Sequence, residues 1–194
     1  MTTKKIATLP EMDIQIFEIT LIGDSPLICH AWSQKAKDMM AAKDQLLPKE
    51  APGQRDPEQE FRDSLYPLPE GGYGFPAVAF KSAAVDACSH VGSLTKVIAR
   101  GAFHVVSDMV PIVGTPTPRS DMVRIGMGTS TTRYRGEFRT WSVVLRIRYN
   151  ANVLSAEQIV HLFNTAGFAI GVGEWRPQRE GSFGMFHVAT IGEA

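Results

Sequence analysis

The sequence is poor in the features that stabilise secreted proteins and anchor membrane proteins. Its 194 residues include only two cysteines, Cys29 and Cys88, which is too few for a disulfide framework and favours a reducing cytoplasm. No stretch approaches the roughly 18 consecutive apolar residues that a membrane span needs. The first ten residues also lack the apolar core of a secretory signal. We therefore expect a cytoplasmic protein without a membrane partner.

Net charge is also absent, but the charges are unevenly placed. The formal net charge is zero, which argues against a strongly basic nucleic-acid binder. Residues 1–95 carry 9 Lys and Arg against 13 Asp and Glu, whereas residues 96–194 carry 11 against 7. Ten of these eleven cations are arginines, whose planar guanidinium suits bidentate contact with phosphate. The pattern fits a solvated polar surface, or head-to-tail stacking of an acidic half against a basic half.

Motifs for nucleotide cofactors and metals are missing as well. The closely spaced glycines at residues 171–173 and 126–128 lie outside a Walker or Rossmann context. A structural zinc site needs about four ligands in paired spacings, and the only neighbouring Cys and His residues are Cys29 with His30 and Cys88 with His90. We therefore expect neither a cofactor nor a metal.

Hydrophobic patterning predicts the first half of the chain as a strand, an insertion and a helix. Residues 13–22 read as a strand, with a bulge expected at Phe17 where the alternation slips. Residues 33–47 favour a helix by propensity, and residues 48–74 are rich in proline, glycine and charge. Residues 77–90 have apolar side chains at helical spacing, which predicts the first major helix.

The second half is predicted to form two strands, a helix and a last strand. Residues 103–113 favour a strand, and residues 114–139 form a second, irregular insertion. The clearest strand covers residues 141–150, where apolar side chains alternate with polar ones. A capping-box pattern then starts a helix that Gly167 is suited to end, and residues 184–191 favour the last strand.

This order of elements is the split βαβ pattern. It predicts an α+β fold of ferredoxin-like type, with an antiparallel sheet, two helices and large insertions. The same arrangement underlies RNA-binding sheets of the RRM type. Within the strand at residues 141–150, Arg146 and Arg148 point away from the apolar side. One face of the sheet is thus expected to feed the core, and the other to present two arginines.

Residues 167–186 are the most distinctive segment, since five glycines punctuate twenty residues. Glycine lets a backbone approach a ligand closely, and its amides are suited to an anion. Arg176 and Arg179 add charge for phosphate in the same segment. Aromatic side chains suited to stacking on bases lie there and elsewhere: Trp32, Tyr134, Phe138 and Trp175.

Three segments resemble the RAMP superfamily of CRISPR-associated proteins. Residues 171–186 are similar to the family's glycine-rich loop, which follows the last helix and leads into the final strand. Residues 73–84 resemble its Ile-Pro-Gly-Ser-Ser-Leu-Lys-Gly segment, although Ala-Val-Ala at residues 77–79 replaces Gly-Ser-Ser. Residues 25–28 give a weaker third match. The chain is short even for the family's backbone subunits, which favours a phage or mobile-element relative.

The resemblance implies one RAMP-like palm domain over residues 1–194, with insertions at 23–74 and 114–139. The second insertion would be a hairpin thumb. Backbone subunits of the family polymerise side by side along single-stranded guide RNA, and the thumb of one copy folds over the nucleic acid held by the next. The chain is therefore expected to bind single-stranded RNA or DNA without enzymatic activity, as a head-to-tail homo-oligomeric filament.

The resemblance also implies which residues contact the strand. Lys81, Arg146 and Arg148 would line the groove of the palm. The residues implied for the thumb and the glycine-rich loop are Arg133, Arg135, Arg139, Trp175, Arg176 and Arg179, with Gly171, Gly173, Gly181 and Gly184 as the loop glycines.

Two alternatives stay open. Some family members are metal-independent endoribonucleases that use a histidine near the first helix, and His30 is the candidate here. The third possibility is a protein-interaction module, such as a decoy subunit that inserts into a nucleic-acid machine without nucleic-acid affinity of its own.

Overall fold

The structure is a computed structural model, and the description covers residues 11–32, 38, 40, 41, 55–92, 94–125 and 128–193. The helix predicted over residues 33–47 lies outside these ranges except for residues 38, 40 and 41, which are helical. Within the described ranges, no helix is long and apolar enough to cross a membrane.

The described residues form nine strands and four α-helices of seven or more residues. In chain order they are β1 (Ile14–Gly23), β2 (Leu27–Cys29), α1 (Pro57–Asp63), β3 (Gly74–Pro76), α2 (Ala77–Val91), α3 (Lys96–Ala102), β4 (Phe103–Val105), β5 (Met109–Pro111), β6 (Pro116–Ile125), β7 (Thr129–Phe138), β8 (Ser142–Asn150), α4 (Ala156–Ala169) and β9 (Phe186–Val188).

The main sheet has four antiparallel strands in the order β4-β8-β1-β9. The two long strands β1 and β8 lie in the centre, and the short strands β4 and β9 form the edges. Along the chain, α2 lies between β1 and β4, and α4 lies between β8 and β9. This order and connectivity confirm the predicted α+β, ferredoxin-like fold.

The strand β1 pairs with β8 without a bulge, from Ile14 opposite Asn150 to Ile22 opposite Ser142. The bulge predicted at Phe17 is therefore wrong. Phe17 lies on the core side of the sheet with Ile19 and Leu21, whereas Ile14 and Ile16 lie on the opposite side. Those two side chains are 41% and 51% exposed. The apolar pattern misled because both faces of β1 carry apolar residues.

The core lies between one face of this sheet and the helices α2 and α4. Trp141, Phe80 and Phe186 form its aromatic centre, with ring centroids 6.0 to 6.4 Å apart. The helix α2 stops at Gly92, which has a left-handed φ of 71°. The helix α4 starts at Ser155, whose capping box with Gln158 is present as predicted.

Two predicted boundaries differ from the structure. The apolar run at residues 103–113 forms two short strands rather than one, since β4 pairs with β8 whereas β5 pairs with β3. The turn around Ser107 and Asp108 separates them, and the Asp108 carbonyl accepts from the Ala77 amide at the start of α2. The last strand, predicted over residues 184–191, is limited to Phe186–Val188.

Gly167 does not end the last helix, because α4 continues to Ala169 and is capped at Ile170. A Cβ atom placed on Gly167 would lie 1.6 Å from the carbonyl oxygen of Phe186. The glycine therefore allows the backbone of β9 to lie directly against α4. Gly167, which predicted the end of the helix, instead marks a close contact between α4 and β9.

The second insertion is a regular β-hairpin instead of an irregular loop. The strands β6 and β7 pair over ten residues each, and β2 extends them into a three-stranded sheet. Arg55 connects this hairpin to α1. Its guanidinium donates to the Glu60 carboxylate in α1 and, at 2.7 Å, to the Thr131 hydroxyl in β7. The hairpin occupies the segment for which a thumb is implied, and that role stays a prediction.

Candidate nucleic-acid interface

The face of the main sheet that is turned away from the helices carries Arg146 and Arg148. Both side chains are exposed, and neither makes a hydrogen bond or ion pair with another described residue. Arg146 lies opposite Glu18 in the neighbouring strand, and Arg148 lies opposite Ile16. This open face, formed by the outward side chains of β1, β4 and β8, thus combines two uncommitted guanidinium groups with exposed apolar side chains.

Lys81 and Arg148 both lie next to His104, at the β4 edge of the open face. The Lys81 Nζ donates to Nδ1 of His104 at 3.0 Å and to the carbonyl oxygen of Arg100 at 3.1 Å. His104 lies directly opposite Arg148 across the β4–β8 pair. Desolvation lowers the pKa of Lys81. The pKa of His104 is lowered by desolvation first, and then by the charges of Lys81 and Arg148.

Three arginines of the hairpin form ion pairs with two carboxylates of the same hairpin. Arg119 bridges Asp121 and Glu137, each at 2.8 Å, and Arg135 contacts Asp121 at 3.4 Å. Arg139 reaches the same Glu137 at 3.4 Å. These five residues form a charge network at the base of the hairpin, in which two carboxylates offset three guanidinium groups.

The hairpin residues predicted to contact nucleic acid differ in their exposure to solvent. Arg135 is only 5% exposed, and its Nε has no partner among the described residues. Arg133 and Arg139 are exposed. Phe138, expected to stack on bases, is fully buried in the core, and Tyr134 is half-buried. Of the hairpin residues predicted to contact a strand, Arg133 and Arg139 are therefore the exposed ones.

Several amides of the glycine-rich loop bond to the protein itself. The amides of Val172, Gly181, Phe183 and Gly184 donate to carbonyls of the chain at 2.8 to 3.2 Å. The Glu174 amide donates to the Ile28 carbonyl at 3.1 Å, which attaches the loop to β2. These donors are already used, so they cannot cradle an anion.

The loop glycines are explained by its close packing. Gly171, Gly173 and Gly184 adopt left-handed φ values of 67°, 79° and 65°. Gly181 lies against the backbone of Trp175, where a Cβ atom would be 1.7 Å from the carbonyl oxygen.

Of the charged and aromatic side chains of the loop, Arg176 is hydrogen-bonded within the loop, whereas Arg179 and Trp175 are exposed. Arg176 is held by the Gly173 carbonyl at 3.0 Å and by Gln178 at 3.2 Å. Arg179 is exposed on a short 3₁₀ turn, Pro177–Arg179. Trp175 is 41% exposed. A cleft of about 160 Å³ lies between the loop and α2, with Arg176 and Asp86 in its lining.

His30 forms a pair with a residue that sequence patterns do not single out. Its Nδ1 lies 3.2 Å from Oε1 of Glu174 in the glycine-rich loop, and both side chains are partly exposed. The hydrogen bond with His30 is the main cause that lowers the pKa of Glu174, and Arg135 adds a smaller contribution. The pair joins residues 144 positions apart. A carboxylate that fixes one imidazole nitrogen leaves Nε2 available for proton transfer.

The described residues offer no group of three or more Cys, His, Asp and Glu side chains that could hold a metal ion. Cys29 and Cys88 are free and buried, and burial raises the pKa of the Cys29 thiol to about 12. Both cysteines therefore behave as small apolar side chains.

Comparisons with known proteins identify the fold. No protein-family model matches the sequence, and no curated protein is significantly similar to it. The structure matches a chain in the cryo-EM structure of the Type III-B Cmr-beta bound to cognate target RNA, with a TM-score of 0.53 and 10% sequence identity over 91% of this chain. It also matches the crystal structure of Cmr6 from Pyrococcus furiosus, with a TM-score of 0.48 and 8% identity over 92% of this chain and 100% of Cmr6.

At 10% identity, the Cmr-beta match shows a shared fold, as the resemblance implied. The chain spans 59% of the length of the Cmr-beta chain that it matches. Fold similarity at this identity does not transfer activity or partners.

Proposed function

We propose that the chain is a non-enzymatic protein that binds single-stranded nucleic acid, with RNA as the preferred strand. The observation that carries this proposal is the open face, where Arg146 and Arg148 are exposed and unpaired among the described residues. An arginine without a carboxylate partner keeps its full charge for phosphate, whereas a paired one must first break its ion pair. The matched Cmr-beta assembly binds target RNA, which favours RNA over DNA.

The apolar part of the open face fits the bases of the same strand. Ile16 lies beside Arg148, and Val144, which is 50% exposed, lies two residues before Arg146. A single strand presents phosphates along one edge and flat bases along the other. Arginines next to exposed apolar side chains therefore suit both parts of a nucleotide without selecting a sequence.

Self-assembly belongs to the same proposal. The half of the sequence that contains α1 is acidic, whereas the half that contains the hairpin is basic. Head-to-tail contacts between such halves would place Arg133 and Arg139 of one copy against a strand bound to the next. We propose that the copies line up along the strand in the cytoplasm as a homo-oligomeric filament.

The direct test measures binding and assembly with RNA and DNA of matched sequence. We expect fluorescence anisotropy to show binding whose affinity falls steeply with salt, since each phosphate contact to a single strand contributes about −0.7 to the logarithmic slope. Electron microscopy should show filaments that need the oligonucleotide. A protein that stays monomeric and binds neither strand at low salt contradicts the proposal and favours the protein-interaction alternative.

The His30–Glu174 pair supports a second candidate function, a metal-independent endoribonuclease. In such a reaction the 2′-hydroxyl loses its proton and attacks the adjacent phosphorus. The 5′-oxygen then leaves with a proton, and a cyclic phosphate remains. His30 Nε2 would carry the proton, and Glu174 would orient the ring.

Cleavage in EDTA separates this candidate from simple binding. If the chain is an enzyme, His30→Ala should abolish cleavage, and Glu174→Gln should reduce it by about tenfold to a thousandfold while RNA affinity is retained. His161→Ala, on the exposed side of α4, is the matched control and should cut normally. Intact RNA after prolonged incubation with the wild-type protein would leave binding as the function.

A further inference from the structure

A compact group of three basic side chains lies at the β4 edge of the open face. Lys81 comes from α2, His104 from β4 and Arg148 from β8. The Lys81 ammonium can only donate hydrogen bonds, so its 3.0 Å contact with Nδ1 makes that imidazole nitrogen the acceptor. The proton of the neutral ring then lies on Nε2, which leaves one ring donor not used by Lys81.

The charges around His104 are nearly all positive. None of the three basic side chains is bonded to a carboxylate of the described residues. The strand β8, which pairs with β4, contributes Arg146 beyond Arg148. The nearest acidic position on the open face is Glu18, which lies opposite Arg146. The lowered pKa of His104 agrees with this surplus of positive charge after desolvation, since Lys81 and Arg148 are its electrostatic causes.

We propose that Lys81, His104 and Arg148 form a binding site for one phosphate group and that His104 takes up a proton when the phosphate binds. Lys81 and Arg148 donate to the phosphate oxygens together with the ring Nε2. Once Lys81 turns to the phosphate, Nδ1 is free to accept a proton from solvent. The negative charge of the ligand then stabilises the imidazolium that the apo site disfavours.

The site deepens the function proposed above, on which the identity of its ligand rests. A tetrahedral anion in solution offers the same oxygens as the phosphodiester of a bound strand. We take the strand phosphate as the ligand, because the site is continuous with Arg146 along the outward side of β8. The apolar part of the open face would then hold the adjacent bases.

The first measurement follows the ring protons of His104 by NMR during a pH titration. Sulfate serves as a free tetrahedral dianion of constant charge, and a short RNA oligonucleotide supplies phosphodiesters. His104 is assigned by comparison with His104→Gln. We expect its pKa to lie below about 6.5 in the apo protein and to rise when the oligonucleotide binds. A rise with sulfate as well shows that a free anion also enters the site.

The second measurement is oligonucleotide affinity between about pH 5.5 and 8, where unperturbed histidines titrate. We expect the wild-type affinity to increase at low pH, by about tenfold for each unit by which binding raises the pKa of His104. His104→Gln should remove this pH dependence, whereas His161→Gln, on the helical side of the molecule, should keep it.

The outcomes separate the site from the proposed function. If the oligonucleotide binds but the pKa of His104 stays unchanged and His104→Gln keeps the pH dependence, the phosphate site is refuted while the nucleic-acid function stands. If the oligonucleotide does not bind and sulfate raises the pKa of His104, the site stands and the nucleic-acid function fails. If neither ligand moves the pKa, no phosphate site exists at this edge.

Discussion

Replacing Gly167 with alanine is expected to destabilise the protein by about 3 kcal/mol, because the new methyl group has no space. Its Cβ would lie 1.6 Å from the carbonyl oxygen and 2.8 Å from Cδ2 of Phe186. The strand β9 would have to move away from α4, which disturbs the aromatic centre that Phe186 shares with Phe80 and Trp141. The loss should exceed the gain of up to about 1 kcal/mol that alanine brings to a helix.

Gly101 provides the matched control for this substitution. It also lies in a helix, α3, but a Cβ atom there meets nothing within 4 Å. Gly101→Ala should therefore be neutral or stabilising by up to about 1 kcal/mol. Urea denaturation of both variants measures the two free energies of unfolding. Equal stability of the two variants would show that β9 does not pack against α4 as described.

The double substitution Arg146→Ala with Arg148→Ala is expected to weaken binding of single-stranded RNA by about 100-fold at low salt. It should also reduce the logarithmic salt slope by about 1.4, because two phosphate contacts are lost. Both side chains are exposed and unpaired among the described residues. Their removal should consequently leave the free energy of unfolding nearly unchanged.

The control for this double substitution has to change the net charge equally. Arg62→Glu changes the charge by the same amount as the loss of two arginines. Arg62 lies on α1, where its one ion pair among the described residues is with Glu58 at 3.0 Å. We expect its RNA affinity to stay within a few-fold of wild type. A comparable loss in both proteins would mean that overall charge, rather than the open face, governs binding.

The elements that could be predicted from the sequence are those with a strong and one-sided pattern. In β8, buried side chains alternate strictly with outward ones, so both its extent and the outward position of Arg146 and Arg148 were readable. The helix α4 has a capping box and a buried stripe, which together fix where it starts. In β1, outward Ile14 and Ile16 obscured the period, because the local pattern cannot tell which apolar side chain faces the core.

Contacts across the chain explain what the sequence could not predict about the site. Arg135 was expected to face the nucleic acid, but Asp121, which it contacts, lies on the facing strand and follows from the hairpin register. Glu174 meets His30 only because the glycine-rich loop is attached to β2. His104 carried one readable signal, its position between the apolar residues Phe103 and Val105 in a short strand.

The glycine-rich loop also links the hairpin sheet to the last helix. It is bonded to α4 through Gln178 and Ile170, and to β2 of the hairpin sheet through Glu174 and Ile28. At the base of the hairpin, the Arg119 guanidinium lies 4.7 Å from the ring centroid of Phe183 in the same loop. A displacement of the hairpin relative to α4 would therefore have to break contacts of this loop.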